Sequence, residues 1–136
     1  MAMVRLVEDV DLSVYTPVCL PAPNQDFRGL QATVTGWGSS NGHSNSHVLQ
    51  ELAVEIMSWW SCQRTINQPG GLDVSEDKLC ATGMNSCNGD NGGPMIVSNE
   101  LNNNFILVGI VSHGTLERNV EFFTEVSSKL KILYDF

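Results

Sequence analysis

The stretch CNGDNGGP at residues 87–94 has the composition of a loop with a fixed backbone shape, because three glycines and a proline surround one acid, Asp90. Glycines adopt backbone conformations that other residues avoid, so such a loop can bring its backbone N–H groups close to a ligand. Asn91 stands at its centre. A carboxamide has no hydroxyl for a base to deprotonate, so Asn91 cannot form a covalent acyl intermediate. The stretch predicts a binding loop without a nucleophile.

Two histidines raise the question of metal binding. His43 and His47 are four residues apart, a spacing that could place both on one metal ion if they lay on a helix. They occur in a stretch rich in Ser, Asn and Gly, without carboxylate or thiol neighbours to complete a ligand set. We therefore expect ordinary loop residues, no metal and no other cofactor.

The adjacent tryptophans Trp59 and Trp60 could form an exposed recognition patch. Large aromatic side chains also supply much of the buried area of a core. We expect at least one of the two to pack against the rest of the domain.

The composition excludes several classes of partner. The chain has 136 residues, the size of one domain, and a net charge of −8 with no cluster of Lys or Arg. Without a basic surface it is not expected to bind nucleic acid or an anionic membrane. In the opening residues MAMVRLVEDVDL, charged side chains interrupt the sequence before an apolar run can form. No later run approaches the ~20 apolar residues of a membrane span. We expect a soluble chain with no signal peptide in this sequence.

The pattern of apolar residues predicts an all-β domain, either a barrel or a sandwich. Four runs are β-branched or alternate between apolar and polar residues, and clusters of Gly, Asn, Pro and Ser separate them. These runs are residues 32–35, 52–56, 95–97 and 105–111. A helix is expected only at the C-terminal end, with Ser127 as its N-cap and residues 129–134 in its body.

Seven short motifs follow one another over nearly the whole chain: PVCLP, VTGWG, LQE, LCA, SCNGDNGGP, VGIVS and FTEVS. Together they resemble the trypsin/chymotrypsin family of serine proteases, whose catalytic domain consists of two six-stranded antiparallel β-barrels. The resemblance implies the second of these barrels, with a short C-terminal helix. Residues 1–23 would then be a remnant strand of the first barrel and the interdomain linker, and residues 24–136 would be the C-terminal barrel.

The resemblance also implies that the catalytic residues are missing. The family uses His, Asp and Ser in that chain order, and its Ser stands where this chain has Asn91. Residues 1–6 resemble the strand that the family's Asp opens, but begin one residue too late. No histidine has the family's Ala-Ala-His-Cys setting. What remains is an oxyanion-hole-like loop formed by Gly89, Asp90 and Asn91.

The family also suggests how Asp90 would behave. In active members the corresponding acid is buried and pairs with an α-ammonium group that zymogen cleavage creates. An unpaired buried carboxylate is costly, so we expect Asp90 to face water or to meet another donor. We therefore expect residues 86–93 to be mobile or zymogen-like, unless Asp90 is ion-paired within the chain.

The family's specificity pocket would be altered as well. Asn85 would occupy the floor, where an acid selects Lys or Arg in the family. Ser112, His113 and Gly114 would form the edge that pairs with a substrate backbone. Glu121 would replace a glycine of the wall and so fill or charge the pocket. The alternative is that His113 and Glu121 are solvated loop residues.

The four cysteines differ in their expected states. Cys62 and Cys80 match a disulfide of the family, which would form in an oxidising compartment. Cys87 would be unpaired. Cys19 resembles the cysteine that tethers the catalytic domain to an upstream segment, so it is either a free thiol or a bond to further chain.

These observations together predict a catalytically inactive homologue of trypsin-like serine proteases that binds protein or peptide ligands or regulates proteolysis. One alternative is a fragment of an active serine endopeptidase, and another is a non-functional truncated product. A lone second barrel would expose the face that normally packs on the first, so a missing barrel or a chain linked through Cys19 is an expected partner. The family resemblance and the disulfide predict an extracellular location.

Overall fold

A computed structural model of the chain describes residues 1–39, 44–66, 75, 77–82, 89–99, 104–115 and 120–131. Its strands form one closed antiparallel barrel in the order β1-β2-β3-β6-β5-β4. They are β1 (Gln31–Gly36), β2 (Gln50–Ile56), β3 (Lys78–Thr82), β4 (Pro94–Asn99), β5 (Asn104–Thr115) and β6 (Val120–Glu125). The predicted six-stranded antiparallel barrel is confirmed.

The four runs predicted as strands lie in β1, β2, β4 and β5. The sequence pattern does not single out β3 and β6, because β3 has only five residues and β6 carries Glu121, Thr124 and Glu125 among its apolar residues. Neither strand shows the alternation of apolar and polar residues by which a half-exposed strand is recognised.

Apolar side chains from all six strands fill the barrel interior. Phe123 from β6, Ile56 from β2 and Met95 from β4 are completely buried. The other members are Phe27, Ala32, Val34, Val54, Leu79, Ala81, Val97, Val108 and Val111. This interior fixes which residues of each strand point inward, and so which ones can meet at the ends of the barrel.

A second, smaller core lies on the outside of the barrel beneath helix α1 (Trp59–Ile66). The predicted disulfide between Cys62 and Cys80 is confirmed and joins α1 to β3, with the two Cα atoms 6.0 Å apart. The other members of this core are Ile66, Val120 and Phe122. The disulfide therefore ties the helix to the barrel wall.

The expectation that a helix occurs only at the C-terminal end is wrong, because α1 follows β2. Ser58 caps its first turn, since its Oγ accepts the N–H of Ser61 at 3.2 Å and its carbonyl accepts the N–H of Cys62 at 2.9 Å. Cys62 and Ile66, four residues apart, bury one face. A helix of eight residues is marginal alone, so packing and the disulfide stabilise it.

A 3₁₀ helix, Ser127–Lys129, follows β6 where a C-terminal helix is expected. The prediction of Ser127 as N-cap is wrong, because the N-cap is Val126, which has no side-chain cap hydrogen bond. The Ser128 hydroxyl donates instead to the Glu125 carbonyl at 2.7 Å. Residues 132–136 lie outside the described part. None of the described helices has the length and apolar character needed to cross a membrane.

The segment before β1 has little regular structure. Residues 1–6, expected to be a strand left from another barrel, pair with no described strand. Further along, Cys19 forms a two-residue bridge to β5: its N–H donates to the Phe105 carbonyl at 3.0 Å and its carbonyl accepts the Leu107 N–H at 2.9 Å. The division of the chain into linker and barrel stays a prediction.

Candidate functional site

The loop of residues 89–93 lies where β4 begins, and three backbone hydrogen bonds fix its second half. The Gly92 N–H donates to the Val111 carbonyl at 2.9 Å, and the Val111 N–H donates to the Gly93 carbonyl at 2.9 Å. The Gly93 N–H closes a turn on the Asp90 carbonyl at 2.8 Å. The loop is thus tied to β5, on the side where the sequence predicts a substrate-binding edge.

Glycines are required at three of these positions for two different reasons. Gly89 and Gly92 have φ values of 103° and 88°, which side chains rarely adopt. At Gly93 a Cβ would lie 2.8 Å from the Asp90 carbonyl oxygen. The glycine pattern read from the sequence therefore has a geometric cause.

The backbone amides of Gly89 and Asn91 are available to a ligand within the described part of the chain. Neither donates to a described residue, whereas the amides of Gly92 and Gly93 are used inside the loop. The side chain of Asn91 is exposed. Whether these two N–H groups act together as an oxyanion-hole-like site stays a prediction.

The carboxylate of Asp90 turns toward the end of β1. Its Oδ1 accepts the N–H of Gly38 at 2.6 Å, and a Cβ on Gly36 would lie only 2.0 Å from the same oxygen. Asp90 forms no salt bridge with any described residue. It has thus met another donor, a backbone amide. Whether the longer stretch 86–93 is zymogen-like stays a prediction, since residues 86–88 lie outside the described part.

Glu121 lies in β6 and is 3% exposed, so it is not a solvated loop residue. It is paired across the sheet with Ala81 of β3 and Gly114 of β5, which are both small. Its Oε2 is buried without a hydrogen-bond partner among the described residues. Burial, and then the charge of Asp90, raises the pKa of the Glu121 carboxyl to about 7. The sequence does not predict that these two acids lie close together.

Ser112 and His113 lie in β5; that they pair with a substrate backbone stays a prediction. The Ser112 Oγ lies 3.2 Å from the His113 Nδ1, a distance at which a hydroxyl and an imidazole can share a proton. The imidazole stacks on Phe122 with the ring centroids 4.8 Å apart. Burial, and then the charge of Lys78, lowers the pKa of His113. No described carboxylate forms a salt bridge with this imidazole.

Several predicted residues cannot be placed on this site. Asn85, Cys87 and His43 lie outside the described residues. His47 is exposed, and no group of three or more His, Cys, Asp or Glu side chains in the described part could hold a metal ion. Cys19 has a free, exposed thiol.

The tryptophan pair divides as expected. Trp59 is half-buried, whereas Trp60 is 78% exposed, and the two rings meet edge to face with centroids 4.9 Å apart. The Nε1 of Trp59 is buried with no partner among the described residues.

An exposed apolar surface next to the loop is not predicted as such from the sequence. Trp37 is 59% exposed and follows β1, while Val48 and Leu49, 69% and 51% exposed, precede β2. The N–H of Ser46 donates to the Trp37 carbonyl at 2.9 Å, which holds the two segments together. Trp37 directly precedes Gly38, the donor to Asp90, in the chain.

Comparison with known proteins agrees with the barrel and its motifs. The Trypsin family model matches residues 1–133. Phenoloxidase-activating factor 1 of Holotrichia diomphalia is 38% identical over 118 residues, which cover 83% of this chain and 32% of that protein. Serine proteinase stubble of Drosophila melanogaster is 36% identical over 121 residues, covering 84% and 15%. Venom serine protease Bi-VSP of Bombus ignitus is 33% identical over 123 residues, covering 83% and 34%.

The chain spans about a third or less of the length of these relatives. The similarity nevertheless runs through the barrel and includes the loop at residues 89–93. The chain therefore belongs to the trypsin family of serine proteases.

Proposed function

We propose that this chain is a catalytically inactive member of the trypsin family that acts by binding protein or peptide ligands and so regulates proteolysis. The observation that supports the proposal is Asn91, which is exposed in a loop whose Gly89 and Gly92 have φ values of 103° and 88°. The family resemblance expects the nucleophile at this position. The amides of Gly89 and Asn91 can still receive a ligand carbonyl. The side chain between them cannot attack it.

A restored nucleophile tests whether the loss of activity extends beyond Asn91. Asn91→Ser supplies the hydroxyl, but a serine without a base and an orienting acid is not activated. We expect no turnover of peptide ester or amide substrates, and no labelling by a fluorophosphonate, for wild type or variant. Turnover by the wild type that a serine-directed reagent abolishes would overturn the proposal.

Binding is tested separately, with a Kunitz-type protein inhibitor as a substrate-like probe in isothermal titration calorimetry. Asn91→Trp should block the loop and abolish the binding heat. Ser98→Trp, at an exposed position of β4, is the matched control and should leave it unchanged. No binding by the wild type, or equal binding by both variants, would contradict a ligand site at this loop.

A second candidate is a piece of a serine endopeptidase whose remaining residues lie on further chain. Two observations support it. The match covers only 32% of the length of a relative, and the apolar side chains of Trp37, Val48 and Leu49 are exposed. The free thiol of Cys19 could join such a chain. An immunoblot of the native protein, with and without reductant, distinguishes the two: a band well above 14.9 kDa under reducing conditions favours this candidate.

We also propose that the protein works outside the cell. The disulfide between Cys62 and Cys80 supports this, because such bonds persist in oxidising compartments. Detection of the protein in the medium of intact cells, and not in their lysate, is the expected result.

A further inference from the structure

The side chain of Asn45 lies beside Gly89, the first described residue of the loop, although the two are far apart in the chain. A Cβ built on Gly89 would lie 3.2 Å from the Asn45 Oδ1 and 3.7 Å from its Nδ2. The Cα of Gly38, just after β1, would lie 3.4 Å from the same Cβ. The carboxamide of Asn45 therefore borders the Gly89 end of the loop.

The position of Asn45 is fixed through its neighbour Ser46. The Ser46 N–H donates to the Trp37 carbonyl at 2.9 Å, which ties this segment to the residues that follow β1. The Ser46 hydroxyl donates to the Val48 carbonyl at 2.6 Å and accepts the Val48 N–H at 3.1 Å. These bonds close a side-chain turn of the kind that serine favours. The fold thus holds Asn45 next to the loop.

The carboxamide of Asn45 is free to contact a ligand. Asn45 is exposed, and no described residue forms a hydrogen bond with its side chain. A carboxamide offers one acceptor oxygen and two N–H donors. Its Oδ1 is therefore an unused acceptor close to Gly89, whose own amide donates to no described residue. An acceptor and a donor are thus available at one place.

A peptide group has the complementary pair, because its carbonyl accepts and its N–H donates. A ligand carboxylate would be repelled by the Asn45 oxygen, and a ligand ammonium group would be repelled by the Gly89 N–H. The carboxylate of Asp90, the charged side chain of the loop, turns toward Gly38 and accepts its N–H at 2.6 Å. An uncharged polypeptide backbone is therefore the ligand group that suits both Asn45 and the loop.

We propose that Asn45 is a ligand-binding residue: its Oδ1 accepts a backbone N–H of an extended polypeptide whose carbonyl lies at the loop amides. This inference rests on the proposed function, because it requires a ligand at the loop. It adds a contact from outside the loop and names the ligand class, a polypeptide bound through its main chain.

The test uses the whole chain, with a Kunitz-type protein inhibitor as the probe in isothermal titration calorimetry. Asn45→Leu replaces the carboxamide by an apolar group of similar shape. Its Kd should rise about tenfold, because a hydrogen bond is lost and a ligand N–H is left without an acceptor. Asn45→Asp keeps an acceptor oxygen, so its Kd should stay within about threefold of the wild-type value. A salt concentration of about 0.3 M screens the added charge.

The matched control is Asn104→Leu, which changes another exposed asparagine. Asn104 pairs with Asn99 at the end of the β4–β5 hairpin that lies away from the loop, so this variant should leave Kd unchanged. Contact itself is measured by isotope-filtered NMR on a labelled chain with unlabelled inhibitor. Nuclear Overhauser effects should join the Asn45 Nδ2 protons to the inhibitor.

The outcomes separate this inference from the proposed function. No binding by the wild type contradicts both. Wild-type binding that Asn91→Trp abolishes, but that Asn45→Leu leaves unchanged, contradicts only the role of Asn45. Equal losses in Asn45→Leu and Asn45→Asp, or no Overhauser effect between Asn45 and the inhibitor, also overturn that role. Circular dichroism checks the fold of each variant, and Asn45→Ala, with the same expected loss, replaces Asn45→Leu if that variant does not fold.

Discussion

Replacing Glu121 by glutamine should remove a pH-dependent loss of stability. Glu121 is 3% exposed, and desolvation followed by the charge of Asp90 raises its pKa from 4.5 to about 7. The same carboxyl in the unfolded chain titrates near 4.5, so between these pH values the folded state binds one more proton. At about 1.4 kcal/mol for each pH unit, ionising Glu121 costs the fold at most about 3 kcal/mol. Any water that reaches the carboxyl lowers this figure.

The direction of the pH dependence of the free energy of unfolding follows from the additional proton that the folded state binds. As far as Glu121 is concerned, the free energy of unfolding should be highest near pH 4.5, fall as the pH rises through 7, and level off above it. Urea unfolding of the wild type and Glu121→Gln is measured at intervals from pH 4.5 to 8.5. The wild-type value minus the variant value should decrease by up to about 3 kcal/mol over this range.

His113 acts in the opposite direction, because its lowered pKa makes the folded state more stable as the pH rises through 6.5. It is present in both proteins and cancels in the difference. Glu51→Gln, at an exposed position of β2, controls for the change of chemistry itself. If the wild type and Glu121→Gln differ by the same amount at pH 5 and pH 8, the inference that an unpartnered carboxyl is buried at the barrel end is refuted.

Two further changes test the contacts that hold the site and the helix. Gly36→Ala would place a Cβ 2.0 Å from the Asp90 Oδ1, and urea unfolding should show a loss of about 1–3 kcal/mol. Gly29→Ala, with no atom within 4 Å but a φ of 84°, should cost about 1 kcal/mol; equal costs would contradict the Asp90 contact. Replacing Cys62 and Cys80 by alanine should cost about 3 kcal/mol, because the disulfide spans 18 residues, and an unchanged urea midpoint would contradict this.

Trp37, Val48 and Leu49 are exposed apolar residues on two segments that a backbone hydrogen bond holds together. Exposed apolar side chains grouped on a protein surface are typical of a site that another protein covers. Because Trp37 directly precedes Gly38, a partner seated on these residues would contact the segment that holds Asp90.

Local composition was enough to predict much of the barrel. Alternating or β-branched runs identify strands wherever one face is buried and the other is exposed, as in β2. The same reasoning passes over β3 and β6, which show no such alternation. It also misses α1, whose eight residues include two tryptophans and are stabilised by the outer core and the disulfide more than by their own propensity.

By itself the sequence determined the family, through motifs in a fixed order, and the chemistry of Asn91, because a carboxamide lacks a nucleophilic oxygen in any fold. It also predicted the bond between Cys62 and Cys80 through the family resemblance. Only the tertiary structure brought Asp90 near Glu121, 31 residues apart in the chain. The physical reason is that burial and charge act through space, so the state of a carboxyl depends on neighbours that the closed barrel brings together from distant segments.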